Sequence, residues 1–236
     1  MSQRKKVFSD VFMAVLCLIA ALLVGVGYYV YGLVREDRYQ KLTIIAAVGD
    51  SNTFGAGVAP EERTVYSYPA QLQSMLGMNY SVHNFGVNGA TVLSGTPAPY
   101  AQQKAYIESK NVAADIVLIM LGTNDVHARN WGESSYERQM SALVTVYKNL
   151  PSNPKVYVLT PPTLYTEKDS LLVNEAIPVL KKISAAMDVP LIDIHSATEN
   201  RASVFPDKIH PTAAGYGLIA EAVYEKLRVN RQPIYS

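Results

Sequence analysis

The sequence predicts a three-layer α/β/α domain on a five-stranded parallel sheet, preceded by one N-terminal transmembrane helix. Three observations predict it. Residues Val11 to Val34 form a run of 24 without a charge. After it, short β-branched runs alternate with longer helical patterns. Runs such as Ile116-Val117-Leu118-Ile119-Met120-Leu121 are apolar throughout, as suits strands covered on both faces by helices.

The apolar run comes first. As a helix it spans about 36 Å, enough to cross the hydrocarbon of a bilayer. Arg4, Lys5 and Lys6 outnumber Asp10 before it, whereas Arg35, Glu36, Asp37 and Arg38 nearly cancel after it. That bias puts the N-terminus in the cytoplasm and the bulk of the chain outside, in the periplasm or the extracellular space. A cleaved secretory signal is the rival reading, but the run is longer than a usual signal core and no small-x-small cleavage site ends it. The expected organisation is a cytoplasmic segment 1–10, a signal anchor 11–34, a linker 35–41 and a folded domain 42–236. Cys17, the single cysteine, lies inside the run, so no disulfide forms within the chain.

After the linker, strands are expected at Leu42 to Val48, Tyr80 to Phe85, Asp115 to Leu121, Lys155 to Thr160 and Val189 to Ile194. Helices are expected at Tyr66 to Leu76, Ala98 to Ser109, Ser134 to Leu150, Ser170 to Met187 and Thr212 to Arg228. A chain of 236 residues has room for one well-buried domain of this kind and little more. In such folds ligands bind outside the carboxyl ends of the strands, and the polar motifs fall there. Gly49-Asp50-Ser51 follows the first strand, Gly86-Val87-Asn88-Gly89 the second, Gly122-Thr123-Asn124-Asp125 the third and Pro161-Pro162-Thr163 the fourth. Asp207-Lys208-Ile209-His210-Pro211 precedes the last helix.

Those residue types define a chemistry. A serine hydroxyl is a weak nucleophile until a base takes its proton, and an imidazole is a dependable base only when a second group fixes its tautomer. Asp207 and His210, three residues apart, can meet on one side of a helical turn or tight loop. Asp207 can then accept from one ring nitrogen while the other faces Ser51.

Together these blocks resemble the SGNH, or GDSL-type, hydrolases over nearly all of the chain beyond the apolar run. The resemblance implies the flavodoxin-like SGNH fold and a carboxylic ester hydrolase working through an acyl-enzyme. It makes Ser51 the nucleophile, His210 the base and Asp207 its orienting acid. The oxyanion donors it implies are the backbone N–H groups of Ser51 and Gly89 and the side-chain amide of Asn124. Asn52, where the family's label motif has leucine, is expected to contact substrate together with Thr91, His127 and Ile209. O-acetyl or short acyl esters of glycans or small molecules are the expected substrates. Alternatives are a lysophospholipase or thioesterase acting on lipid, an O-acyltransferase, and a binding module without turnover.

Other residues compete for these roles. His195, two after Asp193, shares a strand face with it if the fifth strand extends that far, which makes that pair the runner-up dyad. His83 reads as a sheet-face residue. Asp50 and Asp125 read as loop-holding carboxylates, and Trp131 and the tyrosines as core or interface residues. The net charge of +1 gives no basic face for nucleic acid. No metal is expected, since there is no His-Glu-x-x-His and no cysteine cluster. No cofactor is expected either, because the sequence has neither a phosphate loop nor a dinucleotide fingerprint.

Overall fold

The structure, a computed structural model, describes residues 3–38 and 42–229, in two compact units divided between Lys41 and Leu42. The first unit is one continuous helix, α1 (Gln3–Arg38). Its stretch Val11–Gly32 has a mean hydropathy of 2.6 and is exposed along its whole length, and among the described residues only this helix is long and apolar enough to cross a membrane. Residues Arg35 to Arg38, expected in a linker, continue the helix, and positions 39–41 lie outside the described residues.

In the second unit, five strands form one sheet: β1 (Thr43–Gly49), β2 (Tyr80–Gly86), β3 (Ile116–Met120), β4 (Lys155–Leu159) and β5 (Leu191–Ile192). All neighbours are parallel, in the order β2-β1-β3-β4-β5. The chain therefore steps outward from β1 to β2, then returns across it to β3. The ends of β1 and β3 flank the point where the winding reverses, which is where open α/β sheets bind ligands.

Alternating side chains feed two cores, one on each face. Ala46, Val48, Val117, Ile119, Val156 and Val158 pack on one side with α6 (Glu133–Lys148) and α8 (Ile177–Met187). Ile45, Ala47, Leu118, Met120 and Leu159 pack on the other with α4 (Tyr68–Leu76) and α10 (Ala213–Val229). Short helices α2 (Ser51–Phe54) and α3 (Arg63–Tyr66) connect β1 to α4, α5 (Lys104–Asn111) precedes β3, and α7 (Asp169–Leu171) leads into a π-helical turn at Leu172–Ala176 before α8.

The expected elements are all present, with local breaks. Gln103 is extended between a 3-10 turn at Tyr100–Gln102 and α5, which splits the helix expected at 98 to 109. The fifth strand stops at Ile192 because Asp193 instead caps a short helix, α9 (Ile194–Thr198), by accepting from the Ser196 N–H at 3.0 Å. A side chain that satisfies a helix N-terminus ends the sheet ladder there.

Two glycines press the site segments together. A Cβ on Gly86 would fall on the Phe54 backbone, and one on Gly57 would fall on the Pro211 carbonyl. The Gly57 N–H also donates to the Tyr216 hydroxyl at 3.3 Å. The serine-bearing loop thereby docks against the loop that carries the imidazole. Gly57→Ala must push Pro211 aside and move its neighbour His210. Because a displacement of about 1 Å can lower turnover by about 10²-fold, the ester turnover that the resemblance implies, read on a short-chain chromogenic ester, should fall in kcat by one to two orders of magnitude in this variant while its far-ultraviolet dichroism is kept. Parent turnover would show that the contact does not set the geometry.

Candidate active site

Ser51 opens α2 directly after β1. Asp50 caps that helix, its Oδ1 accepting the Asn52 N–H at 2.9 Å. The Ser51 N–H sits in the first turn, where no intrahelical acceptor exists. The Ser51 side chain faces His210, with Oγ 2.9 Å from Nε2 although the residues are 159 positions apart. On the other side of the ring, Nδ1 lies 2.6 Å from Asp207 Oδ2. With the proton on Nδ1 donated to Asp207, Nε2 is the acceptor for the serine hydroxyl.

The loop that presents Asp207 and His210 is locally wound. Lys208 takes a left-handed conformation with φ 70°, and Asp207 Oδ1 accepts from the N–H groups of Ile209 at 2.9 Å and His210 at 2.6 Å. Burial, the largest single influence, raises the Asp207 carboxyl, but the His210 N–H, the His210 ring and the Ile209 N–H together outweigh it, leaving the group below its ordinary value. It stays ionised wherever the imidazole acts as a base.

Among the described residues, the two other expected donors, Gly89 and Asn124, keep N–H groups that the protein does not use up. Gly89 has φ 73° and an open position where a Cβ would stand, and its N–H has no backbone acceptor among the described residues. One N–H of the Asn124 amide donates to Ala90 O at 3.0 Å, which fixes the amide plane and leaves the second N–H available. Loops carrying these two residues are tied together by Asp125, which is fully buried and accepts from the Val92 and Leu93 N–H groups at 3.1 and 2.9 Å. Burial raises Asp125 to about 6 and Asp50 to about 7, with hydrogen bonds offsetting part of each rise.

The residues expected to touch substrate divide. Asn52 is fully buried, with its amide turned to Thr123 at 3.4 Å. Thr91 is also buried, its hydroxyl engaged by Leu93 O at 2.9 Å and Thr96 at 2.6 Å, and organises its own loop instead. His127 is exposed, with Nδ1 held 2.8 Å from Thr123 O. Ile209 is half-buried beside His210 and packs on the sheet core.

The runner-up dyad does not form. Because α9 replaces the end of the strand, Asp193 is taken up by Ser196, and His195 Nε2 faces Asp169 at 3.0 Å. His83 stays on its sheet face, stacked near Phe85. One residue unread from the sequence is Tyr165. Its N–H donates to Lys208 O at 2.9 Å, and its hydroxyl donates to Thr198 O at 2.7 Å while accepting the Arg201 N–H at 2.6 Å. It braces the loop of Asp207 and His210, and only the neighbouring Pro161-Pro162-Thr163 motif signalled that segment. Among the described residues no group of His, Cys, Asp and Glu is arranged to hold a metal.

A hydroxyl, an imidazole and a carboxylate in series at the rim of a 2-1-3-4-5 parallel sheet are the arrangement expected of an SGNH-type fold. Residues 47–218 match the GDSL-like lipase/acylhydrolase family, and the chain belongs to that family. It is 31% identical over 214 residues to an acetylxylan esterase of Xylanibacter ruminicola, covering 80% of this chain and 43% of the relative. A multidomain esterase of Ruminococcus flavefaciens is 26% identical over 202 residues, covering 79% of this chain and 25% of the relative. The chain thus spans less than half the length of either. The structure of an aryl esterase of M. smegmatis superposes with a TM-score of 0.64 at 25% identity, covering 79% of this chain and 99% of that one. An acetylxylan esterase of Geobacillus stearothermophilus shares the fold, with a TM-score of 0.62 at 20% identity over 80% and 95% of the two chains.

Two predictions follow from this geometry. Asn124→Ala should lower kcat by about 10² to 10³ if its free N–H meets the oxyanion, the usual loss for one such donor; steady-state turnover near that of the parent would exclude the role. For Asp50, the folded value of about 7 lies above the ordinary 3.8, so the folded state keeps a proton that the unfolded chain releases. Stability contributed by this group therefore falls as pH rises from about 4 to about 7 and is level above. Asp50→Asn stays neutral throughout, so the stability of the wild type relative to the variant should decline across that window. Urea unfolding in detergent, followed by the fluorescence of Trp131 at stepped pH, reads this, and parallel profiles would exclude Asp50 as the titrating group.

Proposed function

We propose that this protein is a serine esterase that removes short acyl groups, acetyl foremost, from a glycan or small-molecule ester through an acyl-enzyme on Ser51. The observation that carries the proposal is the unbroken series from Ser51 Oγ to His210 Nε2 at 2.9 Å and from His210 Nδ1 to Asp207 at 2.6 Å. His210 takes the serine proton as Ser51 attacks the ester carbonyl, then returns it to the departing alcohol. Water then attacks the acyl carbon and gives a proton to His210, which passes it to Ser51 Oγ as the bond to serine breaks and the acid leaves. Asp207 holds the ring in the tautomer that both steps require and stabilises the imidazolium between them. Negative charge on the carbonyl oxygen is met by the Ser51 and Gly89 N–H groups and the Asn124 amide.

Similarity to an acetylxylan esterase supports the glycan ester as substrate. The catalytic unit, 42–236, is proposed to stand outside the cell on the anchor 11–34, with residues 1–10 in the cytoplasm and 35–41 between them. Charge bias around the apolar run supports that orientation.

A fluorophosphonate probe that does not cross membranes tests nucleophile and side together. Intact cells should label with wild type and not with Ser51→Ala, and the purified protein should release acetate from acetylated xylan faster than long acyl chains from lysophospholipid. Equal labelling of both proteins removes Ser51 as nucleophile. Labelling that appears only after lysis places the site on the cytoplasmic side, and faster lysophospholipid turnover makes lipid the substrate.

A further inference from the structure

A groove of about 510 Å³ runs between α4 and the outer edge of β2, lined among others by Phe54, Arg63, Thr64, Gln73, Asn84 and Gly86. Two of its lining residues lie on the segments that carry candidate active-site groups. Phe54 is three residues after Ser51 in α2, which places both on one face of that helix, and Gly86 stands three residues before Gly89.

The amides in the groove are saturated by the protein. The Gln73 side chain accepts the Val82 N–H at 2.7 Å and donates to Tyr80 O at 3.0 Å, and Asn84 donates to Thr53 O at 2.9 Å and accepts the Gly86 N–H at 2.9 Å. Arg63 is different. It is the sole charged residue lining the groove, its guanidinium lies 4.5 Å above the Phe54 ring, and only Nε is engaged, by Gly55 O at 3.3 Å. Glu61 and Glu62 precede it, both exposed, and no ion pair with Arg63 forms among the described residues. The ring and the Gly55 carbonyl set the plane of the guanidinium and leave its terminal N–H groups for a ligand. A planar fork held in this way matches a carboxylate with two parallel hydrogen bonds.

We propose that this groove is a subsite for an acidic sugar, in which Arg63 binds the carboxylate of a uronic acid unit on the same glycan whose acyl ester reaches Ser51. The inference rests on the glycan-esterase reading above. Its consequence is specificity, since the enzyme would favour acylated glycans with acidic branches over neutral ones.

Paired kinetics on the full-length protein in detergent test it, with an acetylated neutral xylo-oligosaccharide and its counterpart carrying a uronic acid branch. Wild type should show kcat/KM about tenfold higher for the acidic substrate, the scale of one hydrogen-bonded charge pair, with the advantage in KM. Arg63→Gln should bring the ratio to near one, and Arg63→Lys should keep part of it, since charge remains and the fork is lost. Both substrates meet the same folded enzyme, so the ratio cancels general damage to any variant. A wild-type ratio near one, or one unchanged in Arg63→Gln, overturns the subsite. Calorimetric titration with the unacetylated acidic oligosaccharide separates the two readings. Binding that Arg63→Gln abolishes, with no glycan ester cleaved, keeps the subsite and overturns the glycan-esterase reading. No binding to wild type, with glycan deacetylation intact, overturns the subsite alone.

Discussion

The contact between Ser51 and His210 is the interaction on which the site depends, and nothing local enforces it. The two residues belong to segments 159 positions apart, each short and each entering from a different element. Ser51 is placed by the end of β1 and the turn into α2, and His210 by the loop before α10. What brings them into register is packing: α10 lies with α4 on one face of the sheet, and the close approach of Gly57 to Pro211 removes the last gap. The hydrogen bond is thus a readout of the fold, and its geometry tolerates little movement in either backbone.

Three carboxylates around this contact show how environment divides one functional group into separate roles. Asp207, half exposed, is surrounded by donors and stays ionised beside the imidazole. Asp125 is buried and accepts two backbone N–H groups, which joins the Gly89 loop to the Asn124 loop. Asp50 is buried beneath Ser51 with one backbone donor, and burial pushes it up to about 7. Of the three, only Asp207 combines exposure with enough donors to hold its carboxyl below the ordinary value. The other two hold the backbone of the segments that carry Ser51, Gly89 and Asn124.

Much of this was legible in the sequence for a physical reason. Parallel strands buried on both faces read as unbroken apolar runs, and polar residues at their carboxyl ends have few structural reasons to be there, so five strands and the groups at their ends could be placed. What escaped depended on side-chain competition that a pattern does not encode. The fifth strand was overextended because Asp193 caps a helix, and with it fell the pairing of Asp193 and His195, since His195 reaches Asp169 instead. The burial of Asn52 and Thr91 is likewise invisible in the sequence. A polar side chain beside a nucleophile looks available from the sequence, but whether it faces solvent or folds back on a neighbour is set by tertiary contacts alone.

Tyr165 extends the same argument to the base. Lys208 is held left-handed between Asp207 and Ile209, a conformation that costs a non-glycine residue roughly 1 kcal/mol or more. Such a residue keeps its shape only if its surroundings over-determine it. Here the Tyr165 N–H holds the Lys208 carbonyl, the Lys208 N–H donates to Phe205 O at 2.9 Å, and the Tyr165 ring packs on Phe205 with centroids 5.3 Å apart. Tyr165 is itself anchored, by its hydroxyl at Thr198 and Arg201 and by the adjacent Leu164 N–H donating to Asp169 at 2.8 Å. The strained turn aims Asp207 back at its own imidazole, while the brace prevents the turn from relaxing. Orientation of the His210 ring therefore draws on the segments after β4 and β5, which the short motif around His210 could not reveal.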